Sequence, residues 1–354
     1  PDFAERCFKQ IEGFGTYGFP ESHAASFAQL AYVSAWIKYH HPAAFACALL
    51  NSQPMGFYAP AEIVRDAREH HVEVFEPDVN FSFWDNMLER DINGALALRL
   101  GFRQIEGFKE EFAHQIVHAR GYGFASVETL IQRTELPKRA LMVLAEADAF
   151  RSFRLDRREA LWKIRRLSDA APLPLFEERR AIPETIAPLP IMPLSEHVIA
   201  DYQTIRLSLK AYPTQFLRPL FESENIVSCK DVAEAKDDAY ARCAGIVLVR
   251  QMPGAKGVVF VTLSDETGIA NVVIWPSVFE EYRKEVMGSR LLLVEGRIQR
   301  SPEGVIHLVA QSMTDRTHEL ARLSEGVSMP EEVGHSPHRH PRNVRVLPKS
   351  RDFH

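Results

Sequence analysis

Val258-Val259-Phe260-Val261-Thr262-Leu263 and, beyond a polar turn, Ala270-Asn271-Val272-Val273-Ile274-Trp275 are short runs rich in β-branched and aromatic residues. That composition belongs to strands packed into a core. Three similar runs flank them: Ala244-Gly245-Ile246-Val247-Leu248-Val249, Leu291-Leu292-Leu293-Val294-Glu295-Gly296-Arg297 and Val305-Ile306-His307-Leu308-Val309. Between the third and fourth runs, Pro276 to Val286 suits one helix. Five strands with a helix at that place follow the order of an OB-fold, a small closed barrel. Phe260, inside an apolar run, is expected in the barrel core, whereas Trp275 fits either core or surface.

Upstream of the barrel the texture changes. Pro172, Pro174, Pro183, Pro188, Pro190 and Pro193 crowd the stretch from Ser168, a density that few regular elements tolerate, so a linker is expected there. From Leu96 to Leu167 the pattern reads as short helices. It contains Arg99-Leu100-Gly101-Phe102-Arg103-Gln104-Ile105-Glu106-Gly107-Phe108-Lys109-Glu110-Glu111-Phe112-Ala113, which resembles a helix-hairpin-helix. In such a hairpin glycine lets the backbone take positive φ and turn amide N–H groups towards a DNA phosphate at a helix N-terminus. Lys109 stands where a second glycine is usual. A second copy, Ala147-Asp148-Ala149-Phe150, has Asp148 at a glycine position. Either hairpin is a phosphate contact or a helical spacer on these residues.

Net charge is -5, from 42 Lys and Arg against 47 Asp and Glu, so binding to a polyanion must come from local surfaces. The densest is Arg151, Arg154, Arg157, Arg158, Lys163, Arg165 and Arg166, opposed only by Asp156 and Glu159; it reads as a phosphate-binding or a solvated helix face. Around the barrel, Arg250, Lys256, Lys284, Arg290, Arg297 and Arg300 accompany Phe260, Trp275, Phe279 and Tyr282, the ingredients of a groove that stacks single-stranded bases. Ser22 and His23 open a helix, where serine is a natural cap and a phosphate could also sit.

Several chemistries find no residues. Cys7, Cys47, Cys229 and Cys243 are too dispersed for a zinc site or a disulfide framework, and a reducing cytoplasm suits them. His335, His338 and His340 lack carboxylate or cysteine companions. No apolar run reaches the roughly 18 residues of a membrane helix. There is no Asp-x-Asp pair of the kind two-metal catalysis employs, so no bound cofactor or metal is expected. A chain that opens on Pro1, with no methionine before Met55, reads as a piece of something longer.

The amino-terminal residues carry a resemblance. Gly15-Thr16-Tyr17-Gly18-Phe19-Pro20-Glu21-Ser22-His23-Ala24-Ala25-Ser26-Phe27-Ala28 and Trp36-Ile37-Lys38-Tyr39-His40-His41-Pro42-Ala43-Ala44-Phe45 resemble the fingers of bacterial C-family DNA polymerases, the DNA polymerase III alpha group. Glu21, where replicative members have lysine, and Leu50-Asn51-Ser52-Gln53-Pro54-Met55-Gly56-Phe57-Tyr58 resemble the error-prone branch known as ImuC. The likeness extends through Asp78-Val79-Asn80, Asp265-Glu266-Thr267-Gly268 and Ser350-Arg351-Asp352-Phe353-His354. It implies a parent protein that copies damaged DNA, with magnesium on palm aspartates outside these residues, and it places Ser22 and His23 near the incoming nucleotide. Pro172-Leu173-Pro174-Leu175-Phe176 occupies the place of a sliding-clamp motif but lacks its glutamine. The resemblance therefore implies weak or indirect clamp contact through Leu175 and Phe176, with recruitment by ImuB-like and ImuA-like mutasome proteins.

The expected architecture is multidomain α+β. Polymerase fingers occupy 1–95, a tandem helix-hairpin-helix domain 96–167, a proline-rich linker and connecting segment 168–238, an OB-fold 239–318 and a basic disordered tail 319–354. DNA contacts are expected at Gly107, Lys109, Arg151, Arg154, Arg157, Arg158, Lys163, Arg250, Lys256, Trp275 and Arg297, with primer-template and single-stranded DNA as ligands. Catalytic residues are expected outside these residues. A stand-alone DNA-binding or interaction protein built from the same modules is the alternative.

Overall fold

The computed structural model describes residues 3–5, 8–9, 20–54, 58–166, 189–253, 257–302, 304–325 and 351–353. They divide into two compact units, one formed by residues 1–75 with 85–100 and the other by 76–84 with 101–354.

In the first unit, α1 (Pro20–His40), α2 (Pro42–Asn51) and α3 (Pro60–Glu69) each begin on proline, whose missing N–H costs nothing at a helix start. Pro42 also ends α1: the residue before a proline is forced out of the helical region, and His41 has φ -139° and ψ 58°. Ala43, Ala46 and Leu50 of α2 and Ile63, Val64 and Ala67 of α3 are buried. Asn51 fastens the end of α2: its Oδ1 accepts from Asn86 N at 2.8 Å and Nδ2 at 2.7 Å, and its Nδ2 donates to Asn86 O at 2.9 Å.

β1 (Val74–Phe75), β2 (Met87–Arg90) and β3 (Leu96–Arg99) form a sheet in the order β1-β3-β2. The helical expectation from Leu96 onward is corrected here. Asn93-Gly94, with Gly94 at φ +82°, closes a hairpin, and Asp91 Oδ1 accepts from Asn93 N and Ala95 N, both at 2.8 Å.

In the second unit, α4 (Glu110–Arg120), α5 (Val127–Arg133), α6 (Lys138–Glu146) and α7 (Arg157–Arg165) make the hairpin domain. Within the stretch expected as linker and connecting segment, α8 (Leu194–Thr204), α9 (Arg218–Ser223) and α10 (Cys229–Glu234) are folded. The barrel follows: β4 (Tyr240–Gln251), β5 (Val259–Ser264), β6 (Ile269–Ile274), α11 (Pro276–Glu281), α12 (Arg283–Gly288), β7 (Leu291–Arg300) and β8 (Ile306–Asp315). β4 pairs with β5 through its second half and with β7 through its first, and a parallel β6–β8 pair completes the ring. This is the five-stranded OB arrangement that the strand runs predict.

Val198, Ile199 and Tyr202 of α8 and Phe221 of α9 share one apolar cluster with Ile246, Leu291 and Leu293 of the barrel. Leu320 and Leu323 join it from a 3-10 run over Thr317–Glu325. The expected disordered tail is therefore ordered at its start, and β9 (Arg351–Phe353) pairs with β4 in parallel. Cys229 and Cys243 approach to 3.8 Å between sulfurs in the barrel core. Hydrogen bonding to Cys243, then burial, pushes the Cys229 thiol far up from its ordinary range.

Gly296 is dictated by strand spacing. An added Cβ would lie 2.0 Å from the carbonyl oxygen of Val309 on β8, inside any allowed contact. Gly296→Ala is expected to cost about 3 kcal/mol by forcing β7 and β8 apart, read as a lower urea midpoint with accelerated amide exchange in those strands.

Candidate nucleic-acid interface

Hairpin one follows a 3-10 turn at Phe102–Gln104 and delivers the chain to α4. Gly107 has φ +77° with open space where a Cβ would point. Glu106 N is taken by Thr204 O at 2.7 Å. The amides of Gly107, Lys109, Glu110 and Glu111 have no acceptor among the described residues, which suits an anion at the positive end of α4. The rim opposes this. Lys109, the residue before α4, is paired with Glu111 at 3.0 Å, and Glu106 pairs with Arg206 at 3.1 Å. Lys109 and Glu111 are both well exposed, so the pair is open to water.

Hairpin two is differently built. Asp148 takes the left-handed backbone of a glycine, φ +61°, which aspartate tolerates better than most residues. The amides of Ala147, Asp148 and Ala149 bond back to α6, Ser152 N donates to Asp78 Oδ2 at 2.9 Å, and Phe153 and Arg154 close a 3-10 turn. These amides are consumed internally. The Asp148 carboxylate is buried, facing Arg151 at 2.7 Å and Lys210 at 3.3 Å.

Lys210 is the centre of a buried ion cluster. Its ammonium lies 2.6 Å from Glu76 and 3.1 Å from Asp201. Burial alone would lower its pKa, but Asp201, Glu76 and Asp148 outweigh burial and raise it. Asp201 also receives Ser208 Oγ at 2.7 Å and the Arg157 guanidinium. Arg157 further donates to Glu146 O at 2.7 Å and His197 O at 3.1 Å.

The expected DNA contact at Arg157 is thus corrected: at 3% exposure its donors are spent holding α7 to α6 and α8. Arg250 is corrected likewise. It is 4% exposed and donates to the carbonyls of Val286 and Ser289, so it clasps the end of α12. Arg158 is half-buried against Pro190 O at 2.7 Å and Glu196 at 3.0 Å. Arg151 pairs with Asp148, while Arg154, Lys163 and Arg165 are exposed.

On the barrel the expected core position of Phe260 is overturned. Val259, Val261 and Leu263 point inward, and Phe260 is 37% exposed on the outer face. Phe260 pairs with Val273; Trp275, two residues further in extended backbone, continues on that face at 51% exposure. Register therefore makes Phe260 and Trp275 diagonal neighbours, about 7–8 Å apart by strand geometry. Arg297 is half-exposed and paired with Asp238 at 3.2 Å.

His23 is exposed in α1, its ring 4.4 Å from Phe27; Ser22 lies in the same helix, its side chain outside the described residues. Lys256, Leu175 and Phe176 also fall outside them. The sequence reading missed Tyr122, an exposed aromatic between two glycines, and the Asp201–Lys210 centre. The first had a local signal, the second none.

Two families match within this frame: the helix-hairpin-helix motif over residues 71–160 and the OB-fold nucleic acid binding domain over 241–316. Error-prone DNA polymerase of Rhodopseudomonas palustris strain BisA53 is 56% identical over 395 residues, covering 100% of this chain and 34% of that protein. The chain is homologous along its whole length to error-prone DNA polymerases. That of Bradyrhizobium diazoefficiens is 51% identical, covering 100% of the chain and 37% of its own length, and that of Brucella abortus biovar 1 is 55% identical, covering 99% and 33%. The chain spans about a third of the length of these polymerases.

Polymerases generally use magnesium held by converging carboxylates. Among the described residues no group of three or more His, Cys, Asp or Glu could hold a metal ion. The convergence of Glu76, Asp148 and Asp201 is neutralised by Lys210, Arg151 and Arg157. These residues do not fit a magnesium centre. Among the described residues no helix is long and apolar enough to cross a membrane.

Because removing one partner strands a buried charge, Asp201→Asn is expected to destabilise the chain by about 3–5 kcal/mol, against about 0.5 kcal/mol or less for Arg154→Ala, both measured by urea unfolding.

Proposed function

We propose that this chain holds primer-template and single-stranded DNA for an error-prone polymerase whose bond-forming carboxylates lie outside these residues. The paired outer-face rings Phe260 and Trp275 on the barrel carry the reading. An exposed aromatic on one strand of an OB-fold beside another just past the end of its neighbour offers successive bases a stacking surface that is indifferent to sequence, each stack contributing roughly 1–3 kcal/mol. The free amides of hairpin one and the exposed cations Lys163 and Arg165 supply the backbone contacts.

The whole protein's role, in this reading, is DNA-directed synthesis past lesions during repair and damage-induced mutagenesis in the cytoplasm. Magnesium acts on its palm, and ImuB-like and ImuA-like proteins recruit it in place of strong clamp binding. Homology along the entire chain to proteins named error-prone DNA polymerase supports it.

Fluorescence anisotropy with labelled single strands tests the barrel. Phe260→Ala and Trp275→Ala are each expected to weaken binding about 5- to 150-fold, and unchanged affinity in both would overturn the stacking role. Charge reversal of Lys163 and Arg165 together is expected to reduce the salt slope by about one to two units. Primer extension assays with magnesium should show no incorporation by this chain; extension would refute the division of labour.

A further inference from the structure

Between α4 and α5 the chain runs Gly121-Tyr122-Gly123-Phe124. Both glycines have positive φ, +53° and +119°. Tyr122 between them is completely exposed, at 113% of its reference area. The base of the loop is fixed: Asn80 Oδ1 accepts from Phe124 N at 2.7 Å, and Asn80 Nδ2 donates to Phe124 O at 3.0 Å and to Ser152 Oγ at 3.1 Å. Asn80 itself is anchored through Asp78 Oδ1, which accepts from Asn80 N at 2.8 Å. A rigid footing therefore carries a protruding ring.

The ring borders a cleft of about 420 Å³ shared with Phe81, Asn80 and Arg120. Phe81 is 53% exposed. The Arg120 guanidinium, which also lines the cleft, is bonded to Val79 O at 3.0 Å and to Ser82 O and lies over the Phe83 ring. Arg133 brings a positive charge to the loop by donating to Gly123 O at 3.3 Å. Two exposed rings beside an open cleft with a cation at its edge are the elements of a base-stacking site. The volume is at the small end for ligand clefts, about 300–1,000 Å³, so it suits one base rather than a peptide.

We infer that Tyr122 and Phe81 clasp a single unpaired nucleobase of DNA whose phosphate is steadied by Arg133. This deepens the DNA-handling reading and rests on it. The site lies at the far end of α4 from hairpin one, about 16 Å away at 1.5 Å per residue over eleven residues. On a stacked duplex strand, at about 3.4 Å per nucleotide, that distance corresponds to roughly five nucleotides. The site is separate from the barrel rings, giving the chain a second place to grip unstacked DNA.

The test uses the whole 354-residue chain with two fluorescent DNAs, a blunt duplex and the same duplex carrying an overhang with 2-aminopurine. Tyr122→Ala and Phe81→Ala should each lower affinity for the overhang by about 5- to 150-fold, leave the salt slope unchanged and abolish the change in 2-aminopurine emission. Tyr122→Phe, which keeps the ring, should bind as the parent does. Full overhang affinity and emission change in Tyr122→Ala would overturn the site while leaving the broader reading intact. Equal losses on blunt and overhang DNA would place the ring against duplex and overturn the unpaired-base assignment. Failure of the parent chain to bind either DNA would remove both readings together.

Discussion

The second unit depends on a buried exchange of charge. Arg157 from α7, Lys210 from the segment after α8, and the carboxylates of Asp201, Asp148 and Glu76 meet where the exposure of Arg157, Asp148 and Asp201 is a few percent or less. Such a cluster adds little net stability over an apolar core, yet it is intolerant of losing a member. Its effect is geometric. It fixes α7 and hairpin two against α8, and α8 shares its apolar face with the barrel. Hairpin domain and barrel thus have a common structural element rather than a tether.

The two hairpins are unequal for a related reason. Hairpin one keeps its amides free, with exposed glutamates at its rim. Hairpin two spends its amides on helix termination and its side chain on Lys210. Its outward contribution passes to the neighbouring surface, where Asp78 and Asn80 gather Ser152 and Phe124. Asp78-Val79-Asn80, noticed in the sequence only as a point of resemblance, is thereby the strap that shapes this face.

The barrel was legible because strand period and length leave few alternatives, and its order came out as the runs implied. The phase of a strand was not. A continuous apolar run such as Val258 to Leu263 does not declare which alternate residues face inward, and Phe260 was misplaced accordingly. Asn93-Gly94 is a strong turn signal for the β2–β3 hairpin, but the short helices that follow it share the same stretch of sequence and mask its strand pattern. Sequence offers Arg157 and Arg250 as DNA contacts because charge is a local property of sequence, whereas the acceptors that bury them lie far along the chain. The same blindness hid Asp201 and Lys210, whose surroundings in sequence are unremarkable helix and loop.

Asp148 joins two demands at one position: a backbone turn that glycine meets most easily, and a negative charge that only a carboxylate provides. The first demand is local to the hairpin, and the second is set by Lys210 on the bridging segment. The hairpin domain is consequently not an interchangeable cassette. A chimera that imported a glycine-tipped hairpin from another protein would relax the turn while leaving a lysine under the domain with less to neutralise it. Recombination that preserves the fold should carry residues 76–84, the hairpins and the bridge through Lys210 as one inherited block.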